Sequence, residues 1–221
     1  MQNFATTTAI ATILDVPAGA IRFVATDRAD TTVEVLPANA GKSRDVKAAE
    51  ETTVDLRDGV LYISTPQKNE AFGASGSVSV TVQLPAGSSV EAKTASAEFT
   101  TTGRLGDVSL ESAHGTVKLD EAARVRLALA AGDITVGRLT GSADIRTQKG
   151  DLTIGEATTG TVTLRTEHGD ITVGAARGVS ATLDAGTSYG RISNGLQNTG
   201  GDDTLTIHAT TAAGDITART V

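Results

Sequence analysis

The sequence predicts an all-β chain wound as a parallel β-solenoid, akin to a single-stranded β-helix, and three observations carry that prediction. One phrase recurs as Gly132-Asp133-Ile134-Thr135-Val136, Gly150-Asp151-Leu152-Thr153-Ile154 and Gly169-Asp170-Ile171-Thr172-Val173, at steps of 18 and 19 residues. A period near 20 points to stacked coils, here of about 17–21 residues from Gly115 through Gly190. The slots around the phrase also keep their chemistry. Ahead of Gly115, Gly132, Gly150 and Gly169 stand Leu110, Leu127, Ile145 and Leu164, and two residues before these stand Val108, Val125, Ala143 and Val162. After the glycines, Val117, Ile134, Leu152 and Ile171 share one slot, and Leu119, Val136, Ile154 and Val173 another. Parallel coils about 4.8 Å apart place such side chains like on like. The third observation is composition. Aromatics are 3% and Trp is absent, which suits a thin core of Val, Leu, Ile and Ala, while only four Pro leave the ladders free to bond. A β-sandwich of evenly spaced strands is the rival, but it does not require the same slots to recur.

Inside the phrase, Gly accepts the left-handed backbone of a sharp corner, Asp bonds nearby backbone of its own corner, and Ile-Thr-Val alternates inward and outward. We read the chain as one domain, 1–221, with less regular strands over 1–86 and regular coils over 87–221. Ile10 to Val16 alternates, and Val16-Pro17-Ala18-Gly19 suits a type I turn before Ile21 to Ala25. Asp27-Arg28-Ala29-Asp30 is a polar turn ahead of Thr32 to Leu36. Ser43 to Glu50 predicts the one short helix, with Ser43 as its cap. Thr52 to Leu56 and Val60 to Ser64 form a hairpin around Arg57-Asp58-Gly59. Gln67 to Gly76 reads as a loop, Ser77 to Leu84 as an alternating strand, and Pro85-Ala86-Gly87 as the turn into the coils. Past Val173 the step stretches to 21 and then 24 residues, with the surplus in an exposed loop around Asn194 to Asp203. Thr204 to Ala218 then makes the end coil, which is expected to be atypical because it caps the stack.

The formal charge of -7 and a pI near 4.9 argue against duplex nucleic acid or an anionic membrane as partner. No cysteine means no disulfide and no thiolate metal site. The start, Met1-Gln2-Asn3-Phe4-Ala5-Thr6, has neither a basic segment nor a long apolar run, so the expected compartment is the cytoplasm, although a processed secreted chain looks the same.

Leu14-Asp15-Val16-Pro17-Ala18-Gly19, Ala25-Thr26-Asp27-Arg28, Val78 to Pro85, the Gly-Asp-Ile repeats and Ser188-Tyr189-Gly190 together resemble the bacterial "putative adhesin" β-strand-repeat domain of unknown function. The form is similar to its cytoplasmic-looking actinobacterial members. The resemblance spans nearly the whole chain, implies a β-solenoid, and brings no catalytic residues with it.

Stacked coils set Asp133, Asp151 and Asp170 one above another, about 5 Å apart. Each carboxylate either caps its own corner or joins a Ca²⁺ site, which takes oxygen ligands. Thr116 and Arg191 hold that slot elsewhere. His114 and His168 share the place before a corner Gly and read as surface residues, while His208 has no evident partner. Gly186-Thr187-Ser188-Tyr189-Gly190 matches the nucleophile elbow, but Ile192-Ser193 and a Gly/Asn loop follow where that elbow needs a helix. A corner with a packed Tyr189 is the alternative. Arg146 and Arg165 fall in one outward slot, with Ala128 also in it and Glu111 and Asp184 in other coils. They form either a solvated face or a clamp for an anionic partner. No cofactor motif is present. The function expected is a non-enzymatic scaffold that binds a protein or a second copy through its end coils. An adhesin-like surface protein or a polysaccharide-active solenoid is the alternative, weakened by only six Phe and Tyr in the chain.

Overall fold

The computed structural model describes residues 1–66, 76–198 and 204–221. The chain divides into two compact units, Met1–Gly115 and Thr116–Val221. The loop expected over Gln67 to Gly76 lies outside the described residues except for Gly76, and so do the last five residues of the loop expected to end at Asp203.

In the first unit, β1 (Gln2–Ala5), β2 (Ala11–Asp15), β3 (Ala18–Thr26) and β4 (Asp30–Pro37) precede the helix α1 (Ser43–Glu51). Then come β5 (Thr53–Arg57), β6 (Val60–Ser64), β7 (Val78–Pro85), β8 (Ser89–Thr102) and β9 (Arg104–His114). β2 and β3 are the two faces of one coil, and β8 is the next. Its first half lies parallel along β2 and its second along β3, so Leu14 meets Ala92 and Ile21 meets Phe99. β9 continues the stack on β8. On the other side, β6 lies along β2 and β7 along β3, so residues 60–64 and 78–85 sit outside residues 11–26. Beyond them pairing turns antiparallel, β5 on β6, β4 on β7 and β1 on β4, with α1 packed against β4 and β7.

Local chemistry explains most of these elements. Asp58 and Gly59 take φ of 51° and 76°, the left-handed pair of a tight hairpin between β5 and β6. Pro17 bends the chain onto the second face of its coil instead of reversing it in a type I turn, and its carbonyl accepts the Ala95 and Ser96 N–H groups of β8. Ser43 is not the helix cap. Lys42 holds that place without a side-chain bond, and the helix is anchored by buried Asp45, whose carboxylate accepts the Ser77 N–H at 3.0 Å. Inside, the Phe23 and Phe99 rings meet at 5.6 Å. Thr12 faces Leu61 and Val90 in an otherwise apolar column, and its hydroxyl has no hydrogen-bond partner among the described residues.

The second unit comprises β10 (Val117–Ala131), β11 (Ile134–Leu139), β12 (Ala143–Lys149), β13 (Leu152–Ala157), β14 (Gly160–His168), β15 (Ile171–Ala175), β16 (Ala181–Tyr189), β17 (Ile192–Gly195), β18 (Leu205–Ala213) and β19 (Ile216–Thr220). The pairing is parallel throughout. One face runs β10, β11, β13, β15, β19, β17, and the other β10, β12, β14, β18, β16. The expected columns form. Val117, Ile134, Leu152 and Ile171 stand in register and continue through Ile216 to Ile192. Leu127, Ile145 and Leu164 line up on the other face and continue through Ala209 to Ala185. Each fully buried Leu or Ile contributes about 2 kcal/mol.

The order of the last two coils departs from the sequence. The segment from Leu205 to Thr220 slots between β14–β15 and β16–β17, so the chain's final coil is interior and the coil before it is outermost. Composition accounts for the swap. Leu205, Ile207 and Ile216 are at most 1% exposed, whereas β17 is exposed throughout and Ile192 is 47% exposed. Asn194 and Gly195, expected in a loop, belong to that strand.

Candidate functional site

The coil corners hold the residues that the repeat singles out. Gly132, Gly150, Gly169, Gly214 and Gly190 all have φ between 141° and 157°, where other residues are strained. A Cβ on Gly150, Gly169, Gly214 or Gly190 would also lie 2.1, 2.0, 2.0 or 1.9 Å from the corner-glycine carbonyl oxygen of the neighbouring coil. Backbone touches backbone here, and only glycine fits.

The aspartates act between coils and not, as the sequence suggests, on their own corners. Asp133 Oδ1 accepts the Asp151 N–H at 2.9 Å, and Asp151 Oδ1 accepts the Asp170 N–H at 2.8 Å. Asp170 Oδ1 accepts the Asp215 N–H at 2.7 Å, and Asp215 Oδ1 the Arg191 N–H at 2.8 Å. Arg191 belongs to the outermost coil, where no further corner N–H follows. Each of these carboxylates engages one oxygen in this way, Asp215 Oδ2 also lies 3.9 Å from Arg191 Nε, and among the described residues no three His, Cys, Asp or Glu side chains are grouped to hold a metal.

A second clamp escaped sequence reading. Thr166, Thr211 and Thr187 donate their hydroxyls to the carbonyls of Gly150, Gly169 and Gly214 at 3.1, 3.0 and 3.0 Å. The signal was present as Thr-x-x-Gly at Thr166, Thr187 and Thr211; Thr147 has the same spacing, but its hydroxyl donates to the Lys149 carbonyl at 3.2 Å.

The other nominated residues scatter. His168 stands beside Lys149 and Ala213 in the flanking coils, and His114 faces Ser96 within the first unit. His208 does have a partner, Asp184, with Nδ1 to Oδ2 at 3.2 Å. Gly186 to Tyr189 finishes strand β16, and strand β17 follows it. Tyr189 is 80% exposed and so is not a packed corner residue.

Arginines form the most distinctive cluster. Arg146 lies in register with Arg165 on one side and Ala128 on the other, as the slot pattern predicts. Asp184 does not share that slot; it lies in the row of Arg126, Asp144, Thr163 and His208. Arg146 forks onto Asp144, with Nε to Oδ1 at 2.9 Å and Nη2 to Oδ2 at 2.8 Å. A hollow opens between Arg126 and Arg146, floored by Leu127 and Ala128. The first unit has a shallower depression near Arg28. There the guanidinium is already bound by Asp30 and Gln83, and its hydrogen bonds hold the Asp30 carboxyl below the ordinary carboxylate value.

The Toastrack DUF4097 family model matches residues 13–221. The chain belongs to the Toastrack family. Two solved structures share its architecture. A "putative adhesin" from Bacteroides fragilis is 14% identical with a TM-score of 0.51, and one from Parabacteroides distasonis is 13% identical with a TM-score of 0.50. Each comparison covers 98% of this chain and 95% of the other. At that identity the likeness concerns the fold. Membership in a Toastrack family with adhesin-described neighbours bears out the resemblance to a "putative adhesin" family of unknown function. No curated protein matches the chain.

Proposed function

We propose that this Toastrack chain is a non-catalytic interaction module that docks on a second copy through the outermost coil of its second unit. One observation carries the reading. Among the described residues β16 pairs only with β18 and β17 only with β19, so one edge of each strand keeps unpaired N–H and C=O groups. Exposed Tyr189 and Ile192 flank that edge. Asn198 closes its first rung alone, with Oδ1 accepting the Ala181 N–H and Nδ2 donating to the Ala181 carbonyl, both at 3.0 Å.

An open strand edge is a template for another strand. A copy related by a two-fold axis presents the same edge and closes the assembly as a dimer. The adhesin description of the two structural neighbours is compatible with a contact role and adds no partner. Sedimentation velocity from micromolar to near-millimolar protein tests the proposal. A dimer is expected, and Tyr189→Glu combined with Ile192→Glu should return it to monomer without lowering its melting temperature. A monomer at every concentration, or a dimer indifferent to both substitutions, overturns it.

A further inference from the structure

We infer that the hollow between Arg126 and Arg146 binds a carboxylate-bearing peptide segment. Residues of the neighbouring strands β10 and β12 build it, with β14 lying alongside. One row reads Arg126, Asp144, Thr163 and the next Ala128, Arg146, Arg165. Ala128 is the small member of its row, and its missing bulk leaves a cavity of about 310 Å³ with Leu127 and Ala128 as floor and Arg126, Asp144 and Arg146 as walls. That volume is at the lower end of those that hold small ligands.

The charge balance selects an anion. Both oxygens of Asp144 are taken by the Arg146 fork, so this acid positions Arg146 and leaves Arg126 and Arg165 without an acidic partner among the described residues. Two guanidinium groups line the hollow against one carboxylate, and a third, Arg165, stands in register beside Arg146, so the local balance is positive on a chain whose net charge is -7. Guanidinium forks recognise planar carboxylates bidentately.

Spacing and lining select a peptide. Arg126 and Arg146 are one coil and two residues apart, which ideal strand spacings convert to about 8 Å between their Cα atoms. Alternate side chains of an extended peptide recur every ~7 Å, so successive acidic side chains reach both arginines. No aromatic ring lines the hollow on which a sugar could stack.

Fluorescence anisotropy with a labelled oligoglutamate peptide tests the site, with oligoglutamine and a polyuronate glycan as comparison ligands. Oligoglutamate should bind, more weakly as salt rises, and oligoglutamine should not. Arg126→Ala and Arg165→Ala should each weaken binding about threefold to fivefold, as expected for exposed charge pairs. Ala128→Glu, which sets a carboxylate in the hollow at an exposed position, should abolish binding at an unchanged melting temperature. Equal binding by the Ala128→Glu protein overturns the inference, as does no binding of oligoglutamate. Hollow-dependent binding of the polyuronate alone overturns it as well and assigns the site to a glycan.

Discussion

Glycine at a coil corner answers two demands at once, and single substitutions separate them. At Gly169 both apply, since φ is 151° and the Gly150 carbonyl oxygen lies 2.0 Å from where a Cβ would sit. At Gly178 only the first applies, because φ is 81° and nothing lies within 4 Å. Gly169→Ala should therefore cost more than about 3 kcal/mol by urea denaturation, against about 1 kcal/mol for Gly178→Ala. Thr12 is the opposite case. Its buried hydroxyl satisfies nothing among the described residues, so Thr12→Val, nearly the same shape, should raise stability by about 1 kcal/mol. The sequence marked the corner glycines through their spacing. It did not mark Thr12, because alternation in Ile10 to Val16 leaves open which side faces in, and the β-branched Ile13 ended outside, 39% exposed.

Among the elements, the aspartate ladder and the coil order show where sequence reading succeeds and where it stops. Repetition of Gly-Asp revealed that the aspartates stack, but a local turn rule assigned each to its own corner. The hydrogen bond instead crosses to the next coil, a distance no local rule spans. Asp151→Ala should cost about 1 kcal/mol, because the Asp170 N–H loses its acceptor to water, whereas Asp151→Asn keeps an acceptor oxygen and should stay close to the parent. Calcium should leave the melting temperature of either protein unchanged. The arginine hollow was half legible. Arg146 and Arg165 follow from the slot pattern, but Arg126 lies one row over and needs the register of β10 on β12 to be seen. The order of the last coils was readable in principle, since Leu205 fills a slot that Ala181 leaves poor, and Leu205, Ile207 and Ile216 make the more apolar coil. Only the assumption that coils stack in chain order hid it.

For the molecule as a whole, the two units share one device, a coil placed out of chain order. In the first unit residues 60–64 and 78–85 lie outside residues 11–26. In the second, the last segment is enclosed by earlier ones. Ordinary repeat arrays tolerate trimming from an end because each repeat leans only on its neighbours. Here a truncation that removes residues 204–221 withdraws Leu205, Ile207 and Ile216, all buried, and strips the partners of β14, β15, β16 and β17 together. At about 2 kcal/mol per large side chain the direct loss is ~6 kcal/mol, comparable to the stability of a small domain. Circular dichroism should show the second unit melted in such a protein rather than shortened.

That enclosed segment also sets a timetable. A chain leaving the ribosome emerges amino end first, so β16 and β17 appear before the strands they must rest on. Their berth against β14 and β15 belongs to a stretch still inside the exit tunnel. Premature docking there would put Gly190 where Gly214 has to go, and the newcomer would have to evict it. Maturation of this half should therefore wait until Leu205 to Thr220 have left the tunnel, which ribosomes stalled before that segment emerges would reveal as protease-sensitive nascent chains.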